Sequence, residues 1–265
     1  MLKQRLLSAA VLIPVVILAV YLGGWLIYAL VLLAVAGALW EYGDLVSVWP
    51  EQASMHIGML LLGLLLLSDG QFPDLGIARW GLLVGALGLL TVQVFNKNAP
   101  GSLDRWALAV AGAIYVGYAG SYLLRLRAHP QGLALLVLAL AATWICDSGA
   151  YFVGRAYGRH KLAPHISPKK SWEGVLGGLI SGVAAVMVIG CLWVDGFTCW
   201  HGLLLGVLVT AAAVVGDLGE SVVKRQMGAK DSGKLIPGHG GALDRIDSLL
   251  FVVPLVYGFV CLFGI

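Results

Sequence analysis

From Leu6 to Trp40 the chain contains no Asp, Glu, Lys, Arg or His, and comparable charge-free runs recur along its 265 residues. No folded chain in water can hide so long an unbroken apolar stretch many times over, whereas a bilayer core asks for about 20 apolar helical residues per crossing. Composition agrees: 60% of residues are hydrophobic and 12% charged, against roughly 45–50% and about 25% in soluble globular chains. A water-soluble domain is excluded. Low charge with high hydrophobicity excludes disorder, and continuous apolar runs without period-two alternation exclude a transmembrane barrel. A bundle of membrane helices remains.

Lys3 and Arg5 followed by Leu6–Tyr21 have the form of a secretory signal, but the apolar stretch resumes after Gly23 and Gly24 and offers no small-residue cleavage site, so it reads as an uncleaved first span. Breaks at charged or Gly/Pro-rich positions divide the chain into spans near 5–22, 24–41, 53–68, 75–95, 105–124, 131–154, 173–194, 200–223 and 246–264. The expected fold is therefore all-α: a polytopic helical membrane protein of about nine transmembrane helices with a cytoplasmic N-terminus. Span 53–68 is short, and eight crossings with one interfacial helix is the competing arrangement. Nine crossings put all of the 17 Lys and Arg residues except Arg79, Arg125 and Arg127 on the cytoplasmic side, as the positive-inside rule requires. The chain reads as a single integral-membrane domain, 1–265, with hydrophobic N-terminal helices in 1–125 and catalytic helices and cytoplasmic loops in 126–265.

The formal net charge of +3 says little about partners, and nothing in the composition supports nucleic-acid binding. The four cysteines form no CxxC pair and read as small apolar fillers. Gly81/Gly85, Gly174/Gly178 and Gly178/Gly182 recur at the four-residue spacing that lets helix backbones approach closely in lipid.

Chemistry has to lie where carboxylates interrupt apolar spans, because polar groups at membrane depth are costly. Within residues 214–225 (VVGDLGESVVKR), Asp217, Glu220, Ser221 and Lys224 fall on one helix face. A Glu220–Lys224 ion pair would leave Asp217, one turn deeper, without a partner. Residues 230–248 (KDSGKLIPGHGGALDRIDS) bring together Lys230, Asp231, Lys234, His239, Asp244, Arg245 and Asp247. There Asp244, Asp247 and Ser248 again share a face at i, i+3 and i+4, and Gly238, Gly240 and Gly241 around His239 would let backbone amides approach an anion. Gly228–Lys234 copies the spacing of a phosphate-binding P-loop, but Leu235 stands where Ser or Thr should meet magnesium and no strand precedes it, so a P-loop is rejected. In a third cluster, Thr143, Asp147, Tyr151 and Arg155 recur at four-residue steps; Ser167, Lys169, Lys170 and Ser171 then precede a glycine-containing helix start suited to a phosphate.

These residues resemble the phosphatidate cytidylyltransferases, or CDP-diacylglycerol synthases. The S-x-x-K-R, K-D, H-G-G and D-R-x-D elements of that family's signature stand in order in residues 221–247. Two lesser matches are D-x-x-A-Y-x-x-G-R at 147–155 and I-S-P-K-K-S-x-E-G at 166–174. The resemblance covers the C-terminal half; residues 1–125 share only hydrophobicity. It implies a multi-pass, commonly dimeric enzyme of the cell membrane that uses CTP and phosphatidic acid to make CDP-diacylglycerol and pyrophosphate with a divalent metal, usually Mg²⁺, with a second cation such as K⁺ left open.

The resemblance further implies that Asp217 and Asp244 are the metal ligands, catalytic together with Lys224 and Arg245. Ser167, Lys169, Lys170, Ser221, Arg225, Lys230, Asp231, His239 and Asp147 are expected to bind substrate at a cytoplasmic active site. Phosphatidate brings its own ionised oxygen nucleophile, so the site has to neutralise charge rather than supply a covalent intermediate. His239 is then a phosphate or leaving-group contact rather than a base. The alternatives are a CTP-dependent polyprenol kinase and, less well matched to polar residues gathered at one face, a membrane transporter.

Overall fold

The computed structural model describes residues 2–46, 53–95, 101–235 and 240–265. The charge-free run that opens the chain is two helices, α1 (Leu2–Leu22) and α2 (Gly24–Val46). Gly23 and Gly24 make the break at φ 67° and 54°, a left-handed conformation that glycine adopts without steric cost. Next come α3 (Ala53–Ser68) and α4 (Ile77–Val94), then α5 (Ser102–Gly112), which passes through a π-helical segment at Ala113–Tyr118 into α6 (Ala119–Ala128). After α7 (Gly132–Tyr157), strands β1 (Lys161–Ala163) and β2 (Ser167–Ser171) form an antiparallel hairpin. The chain continues through α8 (Trp172–Trp193), α9 (Cys199–Gln226), the short α10 (Leu243–Ile246) and α11 (Leu249–Phe263).

All nine apolar stretches are helical. Among the described residues seven helices are long and apolar enough to cross a membrane: α2, α4, the continuous Ser102–Ala128, α7, α8, α9 and Leu243–Phe263. The apolar parts of α1 and α3, Ala10–Leu22 and Ser54–Ser68, are shorter. The protein is therefore a polytopic helical membrane protein, with the 161–171 hairpin as an addition the sequence did not announce. Helices overrun the expected spans, α2 to Val46 and α9 to Gln226, because hydrogen bonding along the backbone does not stop at the first charged side chain. Large apolar residues cover the exterior, Leu33, Ile180 and Leu192 being 72, 73 and 79% exposed. In water this would drive aggregation; against lipid it is the expected surface.

The chain folds as two compact units, one of residues 1–125 with 227–245 and the other of 126–226 with 246–265. In the first, Gly81 and Gly85 of α4 lie against Leu65 and Leu62 of α3, and Gly117 of the π-helical segment backs onto the Gly63 backbone. Asp69, 1% exposed, accepts a hydrogen bond from the Ala78 amide (2.7 Å) at the start of α4 and pairs with Arg125. The Arg125 guanidinium lies 5.0 Å from the Tyr122 ring centre. Removing one member of a buried pair strands the other, so Asp69→Ala is expected to lower stability by about 3–5 kcal/mol. Asp69→Asn, which keeps an acceptor for Ala78, should lose less; thermal unfolding in detergent measures both.

In the second unit α7 and α8 pack through the glycines singled out by spacing. A Cβ on Gly174 would lie 2.9 Å from the Ala150 carbonyl oxygen, and one on Gly178 3.1 Å from that of Cys146. The start of α11 is fixed to α9 by the Ser248 hydroxyl, which donates to the Ala213 carbonyl (3.2 Å). Of the cysteines only Cys146 is buried, so the filler reading holds for that one alone; all four are free thiols.

Candidate active site

Within the second unit the site is built on the 161–171 hairpin. Glu173, in the first turn of α8, accepts hydrogen bonds from the Arg159 and His160 amides at 3.1 and 3.2 Å and lies 2.6 Å from His160 Nδ1, closing the hairpin at its base. Ser171 caps α8 by accepting from the Gly174 amide (3.2 Å). Neighbouring residues of a strand point to opposite faces, and β2 separates the two lysines accordingly. Lys169 is exposed, whereas Lys170 turns onto α9, its Nζ 2.7 Å from Asp217 Oδ2. Asp217 Oδ1 accepts from the Ser221 hydroxyl at 3.4 Å. Arg225 holds the other end of the hairpin by donating from Nε to the Ile166 carbonyl (3.2 Å). Ser167 opens β2 opposite Ala163 and is half-buried.

The spacing expectation for α9 holds: Glu220, 1% exposed, pairs with Lys224 at 2.5 Å. The expectation that Asp217 is thereby left without a partner does not, since its lysine comes from β2 and not from its own helix. Two further acids belong to the same unit. Asp147 on α7 feels the charges of Asp247, Asp217 and Lys170, and Asp247 those of Asp217 and Lys224. Asp247 also accepts from the Ser248 amide (2.7 Å). Asp217 is paired with Lys170 and Glu220 with Lys224, while Asp147 and Asp247 add two further carboxylates to the same unit. Among the described residues no three His, Cys, Asp or Glu side chains close into a ready-made metal cage.

In the first unit Ser232, Leu235 and Leu243 gather around a residue that the spacing arguments passed over. Glu41 of α2 is 3% exposed. Its Oε2 accepts from the Ser232 hydroxyl (3.1 Å) and the Leu243 amide (3.1 Å), and its Oε1 from the Leu235 amide (3.4 Å). Asp244 Oδ2 accepts from the Ser232 and Gly241 amides at 3.1 and 2.9 Å. Of the glycines expected to offer amides to a substrate anion, Gly241 is already engaged by Asp244. A turn at Asp247 and Ser248 separates α10 from α11. Asp244 and Asp247 fall in different units. Lys230, Asp231 and Arg245 are exposed. His239 and Gly238 lie outside the described residues.

Signals for two of these features were available. The rule that a carboxylate inside an apolar helix marks function, applied past residue 40, picks out Glu41. Strand alternation separates Lys169 from Lys170 once a hairpin is recognised.

Comparison with known proteins extends the resemblance beyond the C-terminal half, to which the motifs had limited it, over nearly the whole chain. The model of the cytidylyltransferase family matches residues 3–263. A phosphatidate cytidylyltransferase of Haemophilus influenzae is 37% identical over 96% of this chain and 96% of its own. One of Synechocystis is 38% identical over 98% and 96%, and one of Bacillus subtilis 35% identical over 99% and 98%. With a family match from end to end and relatives at 35–38% identity, the chain belongs to the cytidylyltransferase family.

Proposed function

We propose that this protein is a phosphatidate cytidylyltransferase: it transfers the CMP moiety of CTP to phosphatidic acid, giving CDP-diacylglycerol and pyrophosphate for phospholipid biosynthesis. The observation that carries the reading is end-to-end similarity to bacterial phosphatidate cytidylyltransferases, joined to the Lys170–Asp217 and Lys224–Glu220 pairs on the segments where the signature motifs stand. In the reaction an oxygen of the phosphatidate phosphate forms a bond to the α-phosphorus of CTP. The bond from that phosphorus to the bridging oxygen of the β-phosphate breaks, and pyrophosphate leaves with the electron pair.

Both reactants are anions, so the chain's task is to bring them together and offset their charge. Lys170 and Lys224 are placed beside the carboxylates to do so, while Lys169, Arg225, Lys230 and Arg245 reach water, where the triphosphate arrives. Ser167, Ser221, Asp147, Asp231 and His239 complete the substrate contacts in this reading. Asp217 and Asp244 are the metal-ligating acids. The acids around Asp217 suit a hard cation because they offer only oxygen donors, and Mg²⁺ characteristically uses one or two carboxylates together with substrate phosphates and water. When bound, Mg²⁺ supplies charge neutralisation at the transferred phosphorus and on the pyrophosphate leaving group.

The same reading has nine crossings, a cytoplasmic N-terminus, a cytoplasm-facing site and a homodimer. It is supported by the distribution of Lys and Arg and, for the dimer, by the family resemblance. A headgroup that stays with the bilayer and a nucleotide that stays in water can meet only at such an interface.

The test is purified protein in detergent with CTP and phosphatidic acid. Pyrophosphate release that requires phosphatidate, stops with EDTA and returns with Mg²⁺ is expected; release of CDP would place the protein with the lipid kinases. The structure also separates two adjacent lysines. Lys169→Ala is expected to raise KM about fivefold with kcat little changed, and Lys170→Ala to lower kcat about a hundredfold, because only Lys170 also holds Asp217.

A further inference from the structure

We infer that Glu41 is a positioning residue for Asp244, so that the apolar first third of the chain contributes to turnover. The inference rests on the proposed role of Asp244 in the reaction.

A carboxylate in a membrane helix is costly unless it is fully hydrogen-bonded, and Glu41 meets that cost by gathering both ends of one loop. From the first end it receives the Ser232 hydroxyl and the Leu235 amide, from the second the Leu243 amide. The loop is shaped to admit it. A Cβ on Gly233 would lie 2.1 Å from Glu41 Oε1 and one on Gly241 2.3 Å from Oε2, so no other residue type fits at either place without displacing the carboxylate.

The bracing passes to Asp244 in two ways. Ser232 Oγ, which donates to Glu41, also accepts from the Asp244 amide (3.3 Å). The Leu243 amide, held by Glu41, immediately precedes Asp244, whose Oδ2 takes the Ser232 and Gly241 amides. Glu41 therefore fixes the backbone on either side of the Asp244 carboxylate. It touches no reacting group and acts through the loop.

The experiment compares full-length wild type with Glu41→Ala, Glu41→Gln and Ser232→Ala in detergent. It measures kcat and KM per folded molecule, thermal unfolding, and trypsin cleavage after Lys230 and Lys234, both of which are exposed. Glu41→Ala is expected to lower kcat about a hundredfold with KM for phosphatidate within about twofold, and to speed cleavage at the two lysines. Glu41→Gln, whose carbonyl oxygen can still accept from Ser232 and Leu243, is expected to recover most of that loss. Ser232→Ala is expected to show the same kcat-selective loss on a smaller scale, about tenfold.

Normal kcat per folded molecule in Glu41→Ala with unchanged cleavage would overturn the inference. If that variant does not fold, Ser232→Ala with wild-type kcat overturns it instead. Faster cleavage in a protein whose wild type has no transferase activity would uphold the bracing while refuting the proposed function, so the two failures are distinguishable.

Discussion

Replacing Asp217 by Asn is expected to lower kcat about a thousandfold while the protein inserts and unfolds like wild type, the scale of loss seen when a preorganised electrostatic group is removed from a reaction centre. The side chain keeps its size, and an amide oxygen can still accept from Lys170 and Ser221, which now hold the carboxylate at 2.7 and 3.4 Å. What disappears is one negative charge in a cluster where Asp147 and Asp247 also act on the same space. If that charge only anchors Lys170, Asp217→Asn should behave like Lys170→Ala and lose about tenfold less. Steady-state kinetics beside a Mn²⁺ titration separates the cases: the metal-ligand reading requires weakened metal binding in Asp217→Asn and not in Lys170→Ala.

Asp244→Asn is expected to cause a loss of similar size, about a thousandfold in kcat, for a reason the loop makes testable. Asp244 has two tasks in this account. It receives the Ser232 and Gly241 amides, which a neutral amide oxygen can also do, and it brings charge to the reaction, which an amide cannot. Asp244→Asn should therefore leave the loop as resistant to trypsin as wild type while turnover collapses. Asp244→Ala should lose both. Retained activity in Asp244→Asn with a resistant loop would make Asp244 a loop brace and nothing more.

The contrast between Asp217 and Glu41 explains what could be read without a structure. Asp217, Glu220, Ser221 and Lys224 announce their common face because a helix repeats on a short period, and the Glu220–Lys224 pair follows directly. The glycines of α8 likewise announce the approach of α7. Lys170 as the partner of Asp217 could not be read in that way, because the two are joined through a hairpin of only three and five strand residues, too short for alternation to emerge from a segment rich in Pro and Lys. Glu41 was lost to a convention: ending the second span at the first charge assumes that charge means water, yet α2 continues to Val46 and buries the carboxylate against a loop almost two hundred residues later. The turn at Asp247 and Ser248, where the Ser248 hydroxyl reaches the Ala213 carbonyl of α9, is not marked by any local breaker in the sequence.

The central claim is attack at the α-phosphorus, and placing the label decides it. Wild-type protein supplied with phosphatidic acid and either [α-³²P]CTP or [γ-³²P]CTP should give radioactive lipid from the first and none from the second, with the γ-label recovered in pyrophosphate. Lipid labelled from [γ-³²P]CTP, with CDP as the other product, would contradict the account and assign the site to phosphoryl transfer from the end of the nucleotide.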